Sequence, residues 1–264
     1  LDESITEYFS MQLIREFSPE PGNMLSVFDW RADFRAMHRP QARTVMELTP
    51  VRRPADDFER RNYFRAIYNK GALAVETICN LMGEHEDEFW KEYCQGYAFR
   101  RPTTDGFIAL ASSYLGEKGQ KVIQTLLDDT ERLDYQVNDV SSAQITVSDS
   151  LAADSAGSDT LAYRSTITLT AIHPLGLPVP LRLTLTDGTV IDTSVVLRTG
   201  RQKLRLVRPA PVRMAEIDPD GIYAVDINLL NNSHITSGGT GAALRLFSGI
   251  TFLVQSLFST LWGW

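Results

Sequence analysis

The chain is 264 residues long, which fits two domains of ordinary size better than one or three. Hydrophobic residues make up 43% and charged residues 22%, a balance that excludes collagen, a disordered chain and a polytopic membrane protein. Twenty-six Lys and Arg stand against 33 Asp and Glu, and a net charge of −7 offers no positive field to a phosphate backbone, so no nucleic-acid partner is expected.

The first residues, Leu1-Asp2-Glu3, show no methionine and no targeting pattern, and the start in mid-pattern leads us to expect a fragment. From Glu3 to about Asp134 apolar residues recur at spacings of three and four, so this half is expected to be helical. Ile5, Tyr8, Phe9, Leu13 and Phe17 form the first amphipathic stretch, stopped by Pro19-Glu20-Pro21-Gly22. A polar connection from about His38 to Asp57, holding Pro40, Pro50 and Pro54, is expected to be a long loop. The helical period resumes with Tyr63, Phe64, Ile67 and Tyr68, runs through Ala72, Val75, Ile78 and Met82, and continues from Glu86 to Ala98. Pro102-Thr103-Thr104-Asp105 is a helix start, with a capping Thr and an acidic first turn, and Lys121 to Leu133 closes the half.

The period then changes to two. Ile167, Leu169 and Ala171 alternate with threonines, Leu181, Leu183 and Leu185 with polar residues, and Leu204 and Leu206 with Lys203 and Arg205. Asp187-Gly188 is a strong hairpin signal, and Thr199-Gly200 and Asp218-Pro219-Asp220-Gly221 mark further turns. About seven strands at this spacing imply an antiparallel β-sandwich. Ala152 to Asp159, small and acidic, reads as a loop near the junction. The expected division is residues 1–138, helical; 139–233, β; and 234–264, a Gly-rich leash followed by a hydrophobic helix.

Chemical equipment is sparse. His38, His85, His173 and His234 include no pair at the i, i+4 spacing that lets one helix face hold a metal, and no Gly-rich phosphate loop or GxSxG elbow occurs. Cys79 and Cys94 are expected to be buried thiols rather than a disulfide, and two cysteines leave the compartment open. Lys70 reads as structural or solvated, and Arg100-Arg101 as a surface pair.

Two short stretches carry a resemblance. Leu1-Asp2-Glu3-Ser4-Ile5-Thr6-Glu7-Tyr8 resembles the "W-L-(N/D)-E-G-x-x-x-Y" helix of the gluzincin aminopeptidases, the family of alanyl aminopeptidase and leukotriene-A hydrolase, and Tyr68-Asn69-Lys70-Gly71-Ala72 is similar to that family's "Y-E-K-G-A". The two lie in the family's order and within its spacing. Leu81-Met82-Gly83-Glu84 with Phe89-Trp90, and Arg101 to Phe107, are similar to the helical segment that follows the tyrosine, and the likeness extends over roughly residues 1–232. The resemblance implies that Glu3 is a zinc ligand, that the Tyr68 hydroxyl stabilises the oxyanion of a tetrahedral intermediate, that zinc is the cofactor, and that a peptide is the substrate, losing its N-terminal residue. It implies a fold class of α+β multidomain type: the helical C-terminal half of a thermolysin-like catalytic domain, then the β-sandwich and the C-terminal helix.

The pattern is also departed from. Ser4 stands where Gly is usual and Asn69 where Glu is usual. The HExxH helix, which supplies two His ligands and the general-base Glu about twenty residues upstream of the Glu ligand, is not among these residues, nor is the "G-x-M-E-N" strand. Zinc catalysis of this kind needs three protein ligands and an open position, so the chain as it stands is expected to be inactive by itself. The alternative is a non-catalytic family member serving as a membrane-tethered peptide- or protein-binding scaffold.

Residues 244–264 hold five Leu, three Phe and two Trp, with Arg245 the only charge. As a helix they would span about 31 Å, matching a hydrocarbon core of about 30 Å. Ser248, Gln255 and Ser259 align with Arg245 in a polar stripe that suits an interfacial helix equally, and packing on another part of the protein is the third option. Membrane association through the C-terminus is the expectation, with a cytoplasmic or periplasmic soluble protein as the alternative; the oligomeric state is open.

Overall fold

A computed structural model describes residues 1–17, 23–27, 30–33, 35–147 and 160–236. The chain divides into two compact units. Unit 1 holds residues 1–132 and takes back Ile222–Ile227; unit 2 holds Leu133–Gly221 and residues 228–236.

Unit 1 begins with helix α1, Asp2–Phe17, whose first turn carries Asp2 and Glu3 at the positive end of the helix dipole and whose last turn carries Arg15. Its buried residues, Ser4, Tyr8 and Met11, recur at four and three and so share one face. A short antiparallel hairpin follows, β1 (Asn23–Val27) with β2 (Trp30–Asp33), and then α2, Arg35–Arg43, which contains Pro40. After a 3₁₀ turn at Ala55–Asp57 comes α3, Arg60–Phe64, which runs without a break into a π-turn, Arg65–Lys70, and on into α4, Gly71–Met82. From Gly71 through Cys79 every residue of α4 is buried, as expected of a helix surrounded by others. The one acid in that run, Glu76, is held at a single carboxylate oxygen by Arg15 at 2.7 Å and Arg35 at 2.8 Å, which compensates a charge taken fully out of water.

Helix α4 ends at Gly83, whose φ of +58° L-residues with side chains rarely adopt. Helix α5, Glu86–Tyr97, buries Phe89, Trp90 and Tyr93, and Trp90 stacks on Tyr8 of α1 with ring centres 5.7 Å apart. Helix α6, Thr104–Asp128, starts where the sequence predicts: the Thr103 side chain accepts the Gly106 backbone N–H at 3.1 Å. It is kinked at Gly116, where φ is +68°. The returning segment Ile222–Ile227 is fixed to α4 by two bonds: Asn80 Nδ2 donates to the Ile222 carbonyl at 3.0 Å, and the Val225 N–H donates to Thr77 Oγ1 at 3.3 Å.

Unit 2 is built from β3 (Asp134–Val147), β4 (Thr160–Ile172), β5 (Pro178–Leu185), β6 (Val190–Val196), β7 (Gly200–Arg208), β8 (Val212–Ile217) and β9 (Ser233–Ile235). They form two antiparallel sheets, in the order β3-β4-β7 and β6-β5-β8-β9. Strand β5 buries Val179, Leu181, Leu183 and Leu185 at alternate positions. The Asp187-Gly188 turn joins β5 to β6: the Leu185 N–H donates to the Thr189 carbonyl at 2.8 Å and Gly188 adopts a φ of +89°. Ser142 and Ser165 share a hydrogen bond at 2.7 Å, and the Val212 N–H of β8 points at both hydroxyls, at 3.3 and 3.4 Å.

The expected fold class is corrected in three respects. The chain is α+β with separate antiparallel sheets, and strands enter even the half read as all helical, as the β1–β2 hairpin. The expected loop from His38 is helical up to Arg43, because packing against the π-turn outweighs the poor local propensity of an Arg-, His- and Pro-rich segment. No described helix is long and apolar enough to cross a membrane, so the hydrophobic C-terminal helix is not among the described elements. The residues behind that expectation, 244–264, lie outside the described ones; apolar composition alone does not specify a helix. The expected loop at Ala152 to Asp159 also lies outside them.

Candidate functional site

Glu3 stands on the first turn of α1 and Tyr68 on the π-turn, 65 positions later, and the structure brings the Glu3 carboxylate close to the Tyr68 phenol. The neighbouring Glu3 carboxylate, with a smaller contribution from burial, pushes the Tyr68 hydroxyl up to about 12, so at neutral pH it is protonated. The ring is held by Phe64, stacked with centres 5.6 Å apart, and by Tyr63, edge-on at 6.5 Å. The π-turn is the local cause of this placement. One extra residue in the helical ladder rotates the positions that follow, a device common at functional sites.

Three side chains bind this turn to its surroundings. Ser4 Oγ, on α1, donates to the Ile67 carbonyl at 2.8 Å. A Cβ on Gly71 would lie 2.2 Å from Ser4 Oγ and 2.9 Å from Ser4 Cβ, so glycine is what lets α1 approach the start of α4. Lys70 turns inward, and its ammonium donates to three carbonyls, those of Met46 at 3.2 Å, Thr49 at 2.9 Å and Asp129 at 3.1 Å. Burial lowers the Lys70 ammonium to about 8, with the Asp129 charge opposing the shift. Asn69 donates from Nδ2 to the Phe64 carbonyl at 3.3 Å and presents Oδ1 to His38 Nδ1 at 3.0 Å.

A cleft of about 460 Å³ is lined by residues that precede the pair in sequence, Leu1 and Asp2 before Glu3 and Tyr63 and Ile67 before Tyr68, and by Arg52 and Arg53. Arg52 is matched by Asp105 at 2.5 Å and Asp128 at 3.4 Å, and Arg53 lies over the Phe58 ring at 5.9 Å.

The other residues singled out in the sequence lie apart from this site. Arg100 and Arg101 are exposed. Cys79 is buried and Cys94 exposed, and both are free thiols, so the expectation of two buried thiols holds for Cys79 alone. His85 faces Glu88 at 3.8 Å on the surface. Among the described residues no group of three or more His, Cys, Asp and Glu side chains converges as a metal site. The roles of Ser4 and His38 were not legible in the sequence, because each partner is remote in the chain. Ser4 and Asn69, inside the two motifs, were visible only as departures from the family pattern.

Comparison of the chain with protein-family models, with curated proteins and with solved structures finds no match.

Proposed function

We propose that Glu3 and Tyr68 serve a zinc-dependent aminopeptidase of the gluzincin kind, which removes N-terminal residues from peptides. The observation that carries the reading is the closeness of these two side chains: two motif residues 65 positions apart in the sequence come together in the fold. Fortuitous resemblance gives no reason for that meeting. A cleft lined by their neighbours in sequence adds support to the reading.

The described residues do not by themselves make a zinc site. Three protein ligands are needed, and the chain contributes one carboxylate here, while the HExxH ligands and base are not among its 264 residues. What the chain's own residues do is narrower. Glu3 presents a carboxylate at the positive end of α1, and Tyr68 presents beside it a neutral phenol O–H, the group this reading assigns as donor to the oxyanion.

The test is kinetic, on a protein in which these residues follow an HExxH segment, with an aminoacyl anilide as substrate. Tyr68→Phe is expected to lower kcat about 10²–10³-fold with KM little changed, the mark of a donor that acts in the transition state. An unchanged kcat would remove the tyrosine from the mechanism. No hydrolysis in the unsubstituted protein would favour the non-catalytic scaffold.

A further inference from the structure

We propose that His38 is a positioning residue for Tyr68, acting through the Asn69 amide to hold the π-turn so that the phenol faces Glu3. The proposal rests on the reading of Tyr68 as an oxyanion donor, but its geometry can be tested without catalysis. His38 lies on α2, 5% exposed, between the two elements that carry the pair. One ring nitrogen, Nδ1, is 3.0 Å from Asn69 Oδ1 on the π-turn; the other, Nε2, is 3.4 Å from Glu7 Oε1 on α1, one helical turn after Glu3.

The hydrogen-bond inventory fixes the direction of the first contact. Asn69 Nδ2 donates to the Phe64 carbonyl, so its Oδ1 is the atom facing His38, and Nδ1 must therefore carry the hydrogen. The second contact then needs one further proton, carried either by Nε2 or by the Glu7 carboxyl, because an unprotonated ring nitrogen and a carboxylate are both acceptors. Burial raises the Glu7 carboxyl, which favours keeping that proton in place. Of the charges beside α2, Arg35 goes to Glu76, which Arg15 also binds, and Lys70 goes to its carbonyls. Asn69 can both accept from the ring and donate to Phe64. The Glu of the resembled pattern could accept from the ring but, when ionised, could not donate to a carbonyl. The asparagine thus belongs with His38 in this chain.

The experiment uses the whole chain with tyrosines labelled at Cζ, read by NMR near neutral pH, the Tyr68 resonance being assigned from its loss in Tyr68→Phe. The nearby Glu3 carboxylate displaces this resonance from that of a solvated phenol, and Glu3→Gln sets the scale of the displacement. Asn at position 38 places an amide nitrogen near the former Nδ1, whereas Gln places it near Nε2. His38→Asn is therefore expected to keep most of the displacement and His38→Gln to lose most of it. Asn69→Asp, which cannot donate to Phe64, is expected to lose it as well, and it serves if His38→Gln does not fold. A Tyr68 resonance unmoved in a folded His38→Gln or Asn69→Asp protein would overturn the proposal, as would equal responses to Asn and Gln at position 38, which would indicate packing alone. Failure of the functional reading looks different: no hydrolysis, with the resonance responding as described.

Discussion

Lys70 shows how far one residue can be read from the sequence: of its two readings, structural or solvated, the structural one holds. It belongs to the stretch that resembles the family motif, yet nothing local tells whether a lysine ammonium points to water or, as here, to three backbone carbonyls. Because burial lowers its folded value from 10.5 to about 8, the native state releases this proton before the unfolded chain does, so the Lys70 contribution to stability rises with pH between about 8 and 10.5. Urea melts from pH 7 to 10 are expected to show that rise in the wild type relative to Lys70→Met. The variant should also be less stable at pH 7, by about 1–3 kcal/mol for each carbonyl left without a donor. Parallel pH profiles for the two proteins would contradict the assignment. Glu3 and Tyr68 were legible because each sits in a recognisable stretch; His38 and Glu7 were not, because a hydrogen bond across 31 positions leaves no local pattern.

Elements set by local chemistry were the most legible. The Thr103 cap and the Asp187-Gly188 turn follow from residue types at fixed offsets, and both are present as read. Thr103→Ala is expected to cost about 1 kcal/mol, and Gly188→Ala a similar amount because φ is +89° there, both readable from thermal melts. Elements made by packing were not legible: α2 forms despite Pro40, and the π-turn is hidden because its one extra residue barely disturbs an apolar period. The contact between α1 and α4 gives a sharper test. Gly71→Ala drives a Cβ into Ser4 and should destabilise by about 1–3 kcal/mol. In a Ser4→Gly background the same change should cost less, with a coupling of about 1 kcal/mol in the double-mutant cycle. Additive costs would show that the two residues do not touch.

At the scale of the whole molecule, the change of period near Asp134 marks where helices give way to strands, and the boundary between units falls at Arg132 and Leu133. The return of Ile222–Ile227 to the helical unit has no sequence signature, since it depends on Thr77 and Asn80 bonding to a segment over 140 positions away. The sheets' register follows the alternation that buries Leu181, Leu183 and Leu185. The candidate site has the same character: two of its residues carry a motif, and the frame that aligns them comes from three elements of unit 1. The most direct test of the central claim is metal analysis after dialysis, on this chain alone and on the same chain joined to an HExxH segment. The account predicts no stoichiometric zinc in the first, about one equivalent in the second, and its loss in Glu3→Gln. Zinc retained in full after Glu3→Gln would contradict the assignment of Glu3, and with it the site.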